Sequence, residues 1–225
     1  ASAAADLLAR ALDTESLPAD VDQSIGRILP RIAGDAGRPD LHLTWLQRLL
    51  RRAVTPQDRL VLLRSILPLQ EETAADPAAR VQAAEAALGA AQDMALGARE
   101  IAPLRLAAAR AKMAVGHWNS AIEYAGQALR DVVDVDPTSH DAAAAQRVLA
   151  SLAEVAVDAT PALEHLAYAA ATGVPRLLLG YADACVAARD WHRARSVIPR
   201  ALAVVDDQAV AERLEAALHD AERHA

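Results

Sequence analysis

Alanines spaced seven apart behind a tryptophan constrain this chain more than any other feature of it. In Gly116-His117-Trp118-Asn119-Ser120-Ala121-Ile122-Glu123-Tyr124-Ala125-Gly126-Gln127-Ala128-Leu129, a small residue and an aromatic close one helix, and Ala121 and Ala128 then mark the next. Seven residues are two helical turns, so both alanines lie on one face. Two helices approach closely only where small residues meet, and this face supplies them. The pattern returns in Arg189-Asp190-Trp191, followed by Ala194 and Ala201, with the two tryptophans 73 residues apart (191 − 118). The fold expected from this spacing is all-α, built of antiparallel helical hairpins.

Start and stop signals fill in about ten to twelve helices with no strand alternation. Ala3 to Leu12 is a short amphipathic segment, and Ser16-Leu17-Pro18-Ala19-Asp20 starts a second helix running to about Ile32. Gly34-Asp35-Ala36-Gly37 ends it, and Pro39 opens a helix holding Trp45, Leu46, Leu49 and Leu50. Thr55-Pro56-Gln57-Asp58 combines an N-cap with proline at the first helical position. Pro68 is expected to bend or end that helix. Asp76-Pro77 opens an Ala-rich helix expected to end near Gly97, and further helices follow from Leu104, Asn119, Asp141, Thr160, Arg176 and Gln208. The last carries Val210, Leu214 and Leu218 on one side and charges on the other, as a capping helix does.

Composition narrows the function classes. Hydrophobic residues are 53% of the 225, but aromatics are 3% and Phe is absent, which suits tight helix packing rather than an aromatic-lined cavity. A net charge of −7 argues against non-specific nucleic-acid binding. No run of about 18 apolar residues is present, so no membrane span is expected. The first residues lack the basic-then-apolar order of a secretion signal, and the chain does not begin with Met. A lone cysteine, Cys185, cannot form an intrachain disulfide, which points to a reducing, cytoplasmic setting. Lys112 is the only lysine and arginine supplies the remaining Lys/Arg charge, a bias of high-GC bacterial genomes.

Aligned on the turns, the chain resembles the tetratricopeptide repeat (TPR) family. That pattern has a small residue at the eighth position, an aromatic near the seventeenth, and alanines at the twentieth and twenty-seventh. Ala109, Trp118, Ala121 and Ala128 fill these places in one unit, and Ala182, Trp191, Ala194 and Ala201 in another. Between them stand Ala150, Ala162 and Ala169, with Ala159 where the aromatic belongs. The resemblance covers roughly 102–225; residues 1–101 show only helical-hairpin rhythm. It implies hairpins stacked as an α-solenoid, expected to be continuous through both parts.

The resemblance also implies a concave groove lined by the first helix of each hairpin. Carried over in register, its residues are Leu106, Arg110 and Met113, then Arg147, Ser151 and Glu154, then Arg176, Leu179 and Asp183. Arginine offers a planar fork to carboxylates, so Arg110, Arg147 and Arg176 form a ladder suited to an acidic or C-terminal segment of a protein or peptide partner. The expected function is a non-enzymatic interaction or scaffold module, belonging to a larger bacterial polypeptide or assembly and needing no cofactor. A ligand- or peptide-sensing regulatory domain is the alternative. Nothing in the sequence sets an oligomeric state.

Chemistry-bearing clusters are sparse. Asp131-Val132-Val133-Asp134-Val135-Asp136 resembles the acidic motif with which all-helical terpene synthases hold magnesium, which keeps a helical lyase as a third reading. Such enzymes steer carbocations with aromatic walls, and this chain has three Trp and three Tyr in all. A solvated helix end before Pro137 is the plainer expectation. Counted as a calcium loop from Asp134, the run has Ser139 where Gly belongs and Ala145 where Glu belongs. His42, His117, His140, His165, His192, His219 and His224 include no pair spaced i, i+4 for a helical metal site. Cys185, flanked by Ala182 and Ala188, is expected to be a buried, inert thiol. No Gly-rich phosphate loop and no Gly-x-Ser-x-Gly occurs.

Overall fold

A computed structural model describes residues 2–12 and 19–224, apart from the side chains of Ser2 and of 19–23. The expected start signal Ser16-Leu17-Pro18 therefore lies outside the described residues. Among the described residues there are twelve helices and no strand: α1 (Ser2–Leu12), α2 (Ala19–Asp35), α3 (Pro39–Arg52), α4 (Pro56–Glu72), α5 (Pro77–Asp93), α6 (Ala98–Ala114), α7 (Trp118–Val133), α8 (His140–Val155), α9 (Thr160–Ala170), α10 (Pro175–Ala187), α11 (Trp191–Leu202) and α12 (Gln208–Arg223). The chain divides into two compact units, Ala1–Ala95 and Leu96–Ala225.

The first unit holds α1 to α5. Here α2 packs on α1 and α3, and α4 on α3 and α5. The Thr55 hydroxyl accepts from the Asp58 amide at 3.1 Å, as a capping residue should. Pro68 does not end its helix; α4 runs on to Glu72. Pro68 is exposed, so the turn that loses a backbone hydrogen bond faces solvent. Pro103 is likewise accommodated inside α6, which begins at Ala98 rather than near Leu104. The helix before it ends at Asp93, short of Gly97, because Ala95 turns left-handed with φ 51°.

The second unit holds α6 to α12. Each helix packs on the next, and α8 also packs on α6 and α10, while α9 also packs on α7. The alanine spacing shows why. Ala109, Ala121, Ala128, Ala162, Ala169, Ala182, Ala194 and Ala201 are all fully buried. Ala150 and Ala159 are half-buried. Trp118 and Trp191 each open a helix, and Trp191 stacks on His224 with ring centroids 5.2 Å apart.

The turns repeat as well. The Gly116 amide donates to Met113 O at 3.1 Å and the His117 amide to Lys112 O at 2.9 Å. Arg189 to Val186 O at 3.0 Å and Asp190 to Cys185 O at 2.9 Å copy that pair. This is the Schellman closure, which needs a left-handed residue. Gly116 meets the need at φ +77°, while Arg189 takes φ 56° against the cost a Cβ imposes there.

At two places in this unit a side chain from one helix lies directly over a glycine of another, leaving no room for a Cβ. A Cβ on Gly126 of α7 would fall within the His165 ring of α9, and one on Gly180 of α10 would collide with the Gln146 amide of α8. Gln146 is buried and donates to Leu177 O at 2.8 Å, so its amide nitrogen is satisfied across the α8–α10 seam.

Leucine at Ala121 or Ala194 should therefore overpack a seam and cost roughly 1–3 kcal/mol. The same change at exposed Ala114 should be nearly neutral. Urea unfolding of the three variants checks this, and equal midpoints would show that the alanines do not set the packing.

Candidate functional site

Packing leaves α8 with one free face. It has α6 and α10 beside it and also packs on α7 and α9, so most of its residues are buried. Arg147, Ser151 and Glu154 remain exposed at spacings of four and three, which is one line along the helix. On α6 the corresponding stripe is Pro103, Arg110 and Ala114, with half-buried Ala107 between them. On α10, Arg176 is exposed and Leu179 and Asp183 are half-buried. The three stripes thus lie on α8 and on the two alternate helices, α6 and α10, that pack beside it.

Leu106 does not belong to that surface. It is 4% exposed and lies in the core with Ala102 and Ala109. These three recur at helical spacing and form the packed face of α6, so the assignment of Leu106 to a groove is corrected. Met113 is half-buried and packs against the same core. Sequence reasoning overlooked Pro103, Ala107 and Ala114. Their signal is weak, because in an Ala-rich helix both faces read as apolar.

The charges divide into tied and free. Arg176 donates to the carbonyls of Thr138 at 3.2 Å and Ser139 at 3.0 Å, which fastens α10 to the turn before α8. Asp183 accepts from Arg213 of α12 at 2.9 and 3.0 Å. Arg110, Arg147, Ser151 and Glu154 have no side-chain partner among the described residues. The expected ladder of three arginines therefore offers two free guanidinium groups.

The acidic run spans the exposed C-terminal end of α7, as expected, but each of its carboxylates has a partner. Asp131 forms a partly buried ion pair with Arg105, joining α7 to α6. Asp134 accepts from the Tyr168 hydroxyl of α9, whose ring lies 5.4 Å from the Arg130 guanidinium. Asp136 accepts from the Thr138 hydroxyl at 2.7 Å and amide at 3.0 Å, which holds its carboxyl below the usual range. The three carboxylates serve three different contacts. No group of three or more His, Cys, Asp or Glu among the described residues is placed to hold a metal ion.

Cys185 is fully buried, and that burial pushes its thiol up to about 12. His117 and His192 are exposed in their turns. His165 is different. Its ring covers Gly126, and its Nδ1 is buried with no hydrogen-bond partner. Burial is the main cause that lowers its pKa, with Arg130 adding to the effect and Glu123 and Glu164 opposing it.

These features define an all-α protein with a mixed-charge face on three packed helices of its second unit. No family model, curated protein or solved structure matches the chain. No helix among the described residues is long and apolar enough to cross a membrane.

A histidine whose pKa is lowered on folding favours the neutral ring. Its contribution to stability is complete above the unfolded value of about 6.5 and is lost as pH falls from there through the lower folded value. His42 is shifted the same way by burial. Melting temperature should therefore drop between pH 7.5 and 5.5, above the range where the carboxylates titrate. Replacing both His165 and His42 by Gln should flatten that slope. An unchanged slope in the double variant would remove the histidines as its cause.

Proposed function

We propose that the second unit is a short TPR-like α-solenoid that binds an acidic segment of a protein partner across the exposed stripes of α6, α8 and α10. The observation that carries this reading is the pair Arg110 and Arg147. They stand exposed and unpaired on neighbouring packed helices of a chain whose net charge is −7. A local reversal of sign orients an acidic partner even where net charge repels it. Small side chains at Ala107, Ala114 and Ser151 let a partner backbone come near, and Leu179 adds apolar contact. Glu154 sets a direction, since it repels the acidic end of a segment laid along α8. The module itself is non-enzymatic and acts in the cytoplasm, as part of a larger bacterial assembly.

Changing Arg110 and Arg147 together to Ala should weaken partner binding by at least about 2 kcal/mol if both make charge-assisted bonds. Helix content should not change. Partners recovered from the source cell by parent and double variant, then titrated individually, decide it. Equal affinity for the same partner would place binding elsewhere.

A further inference from the structure

The first unit contains a pocket of about 180 Å³ at one end of α2, α3 and α4. Pro30, Ala33 and Gly34 come from the last turns of α2, Gly37 from the turn into α3, and Pro39 is the first residue of α3. His42 of α3 and Leu69 and Glu72 of α4 complete the wall. A void of roughly 150 Å³ is enough for a benzene-sized molecule, so this pocket has room for a small organic body. A Cβ at Gly34 would meet no atom within 4 Å. Gly34 is exposed and helical without a positive φ, so its backbone does not require glycine and a larger side chain can be placed there.

The polar groups of the pocket accept protons rather than offer charge to an anion. Glu72 is exposed and has no partner among the described residues. Burial lowers the pKa of the half-buried His42 ring, which favours its neutral form, and the ring stacks on Trp45 with centroids 6.3 Å apart. The C-terminal ends of α2 and α4 lie here and carry partial negative charge, against one N-terminus of opposite sign, that of α3 at Pro39. Arg38, the cation in the adjoining turn, is taken by Asp40 at 2.8 and 2.9 Å. Pro30, Pro39 and Leu69 are apolar.

We propose that this pocket binds a small organic amine as its ammonium ion, with the carbon body against Pro30, Pro39 and Leu69 and the N–H donors on Glu72 and His42. The site lies in the first unit and is separate from the face proposed to bind a protein segment. An ammonium fits where a carboxylate would meet Glu72 and two helix C-termini, and it can make a charge-assisted bond to Glu72 that a neutral alcohol cannot match.

Two-dimensional amide NMR of the full chain, titrated with benzylammonium, tests this. Saturable shifts at Ala33, Gly34 and Gly37 are expected. Benzyl alcohol should bind at least about tenfold more weakly, the scale of one charge-assisted bond, and isovalerate should not bind. Glu72→Gln should weaken benzylammonium binding by a similar factor. Gly34→Leu should abolish it by filling the space, in a chain whose helix propensity there has risen. Nα-acetyl-lysine amide, run in parallel, separates a free amine from a lysine side chain as the source of the ammonium. Absence of saturable shifts at millimolar benzylammonium, equal binding of the alcohol, or equal binding by either variant would overturn the proposal.

Discussion

Helix axes can come no closer than the side chains between them allow, and the second unit depends on keeping those side chains small. Its fully buried alanines give little transfer free energy each. They contribute by letting long stretches of backbone and larger neighbours such as Leu129, Leu149 and Ile198 meet at full packing density. At Gly126 and Gly180 even a methyl group is excluded, and a polar side chain from the facing helix occupies the gap. The cost of glycine inside a helix is offset only because His165 and Gln146 seat there. Gln146 secures its seat with a hydrogen bond to Leu177 O. His165 has no such bond at Nδ1, which makes that seam sensitive to acid.

The exposed surface follows from the same geometry. Once α8 is covered by four neighbours, Arg147, Ser151 and Glu154 fall on the one remaining line, while its other polar side chain in that stretch, Gln146, is buried and hydrogen-bonded. Flanking helices then tie down part of the charge. Arg176, Asp183, Asp131 and Asp134 bond across helices and so hold the layers in register. Arg110, Arg147 and Glu154 are left as the unpaired charges of the face.

Helices with contrast between their faces were legible in the sequence. The turns at Gly116 and Arg189, the Thr55 cap and the buried seven-residue alanine pairs all follow from local chemistry. Along α8 and α10 the carried-over positions fall on the exposed or half-buried stripes, because Leu149, Leu152, Leu177 and Leu178 mark the opposite faces. Along α6 the alanines blur that distinction, and Leu106 was placed on the wrong side. The acidic run ends α7 as its position suggests, while its contacts are hidden for another reason. Its partners Arg105 and Tyr168 are 26 and 34 residues away, beyond any local pattern. The pocket of the first unit is equally invisible in sequence, since glycines and prolines that look like punctuation form much of its wall.

Four helices, α6, α7, α9 and α10, pack on α8 and make it the centre of the second unit. Amide hydrogen exchange measured residue by residue tests this most directly. Exchange tracks the free energy of local opening. The amides of α8 should exchange slowest in the second unit, and those of α12, which packs mainly on α11, should exchange much faster. If α8 exchanges as fast as α12, the seams described here do not hold the unit together.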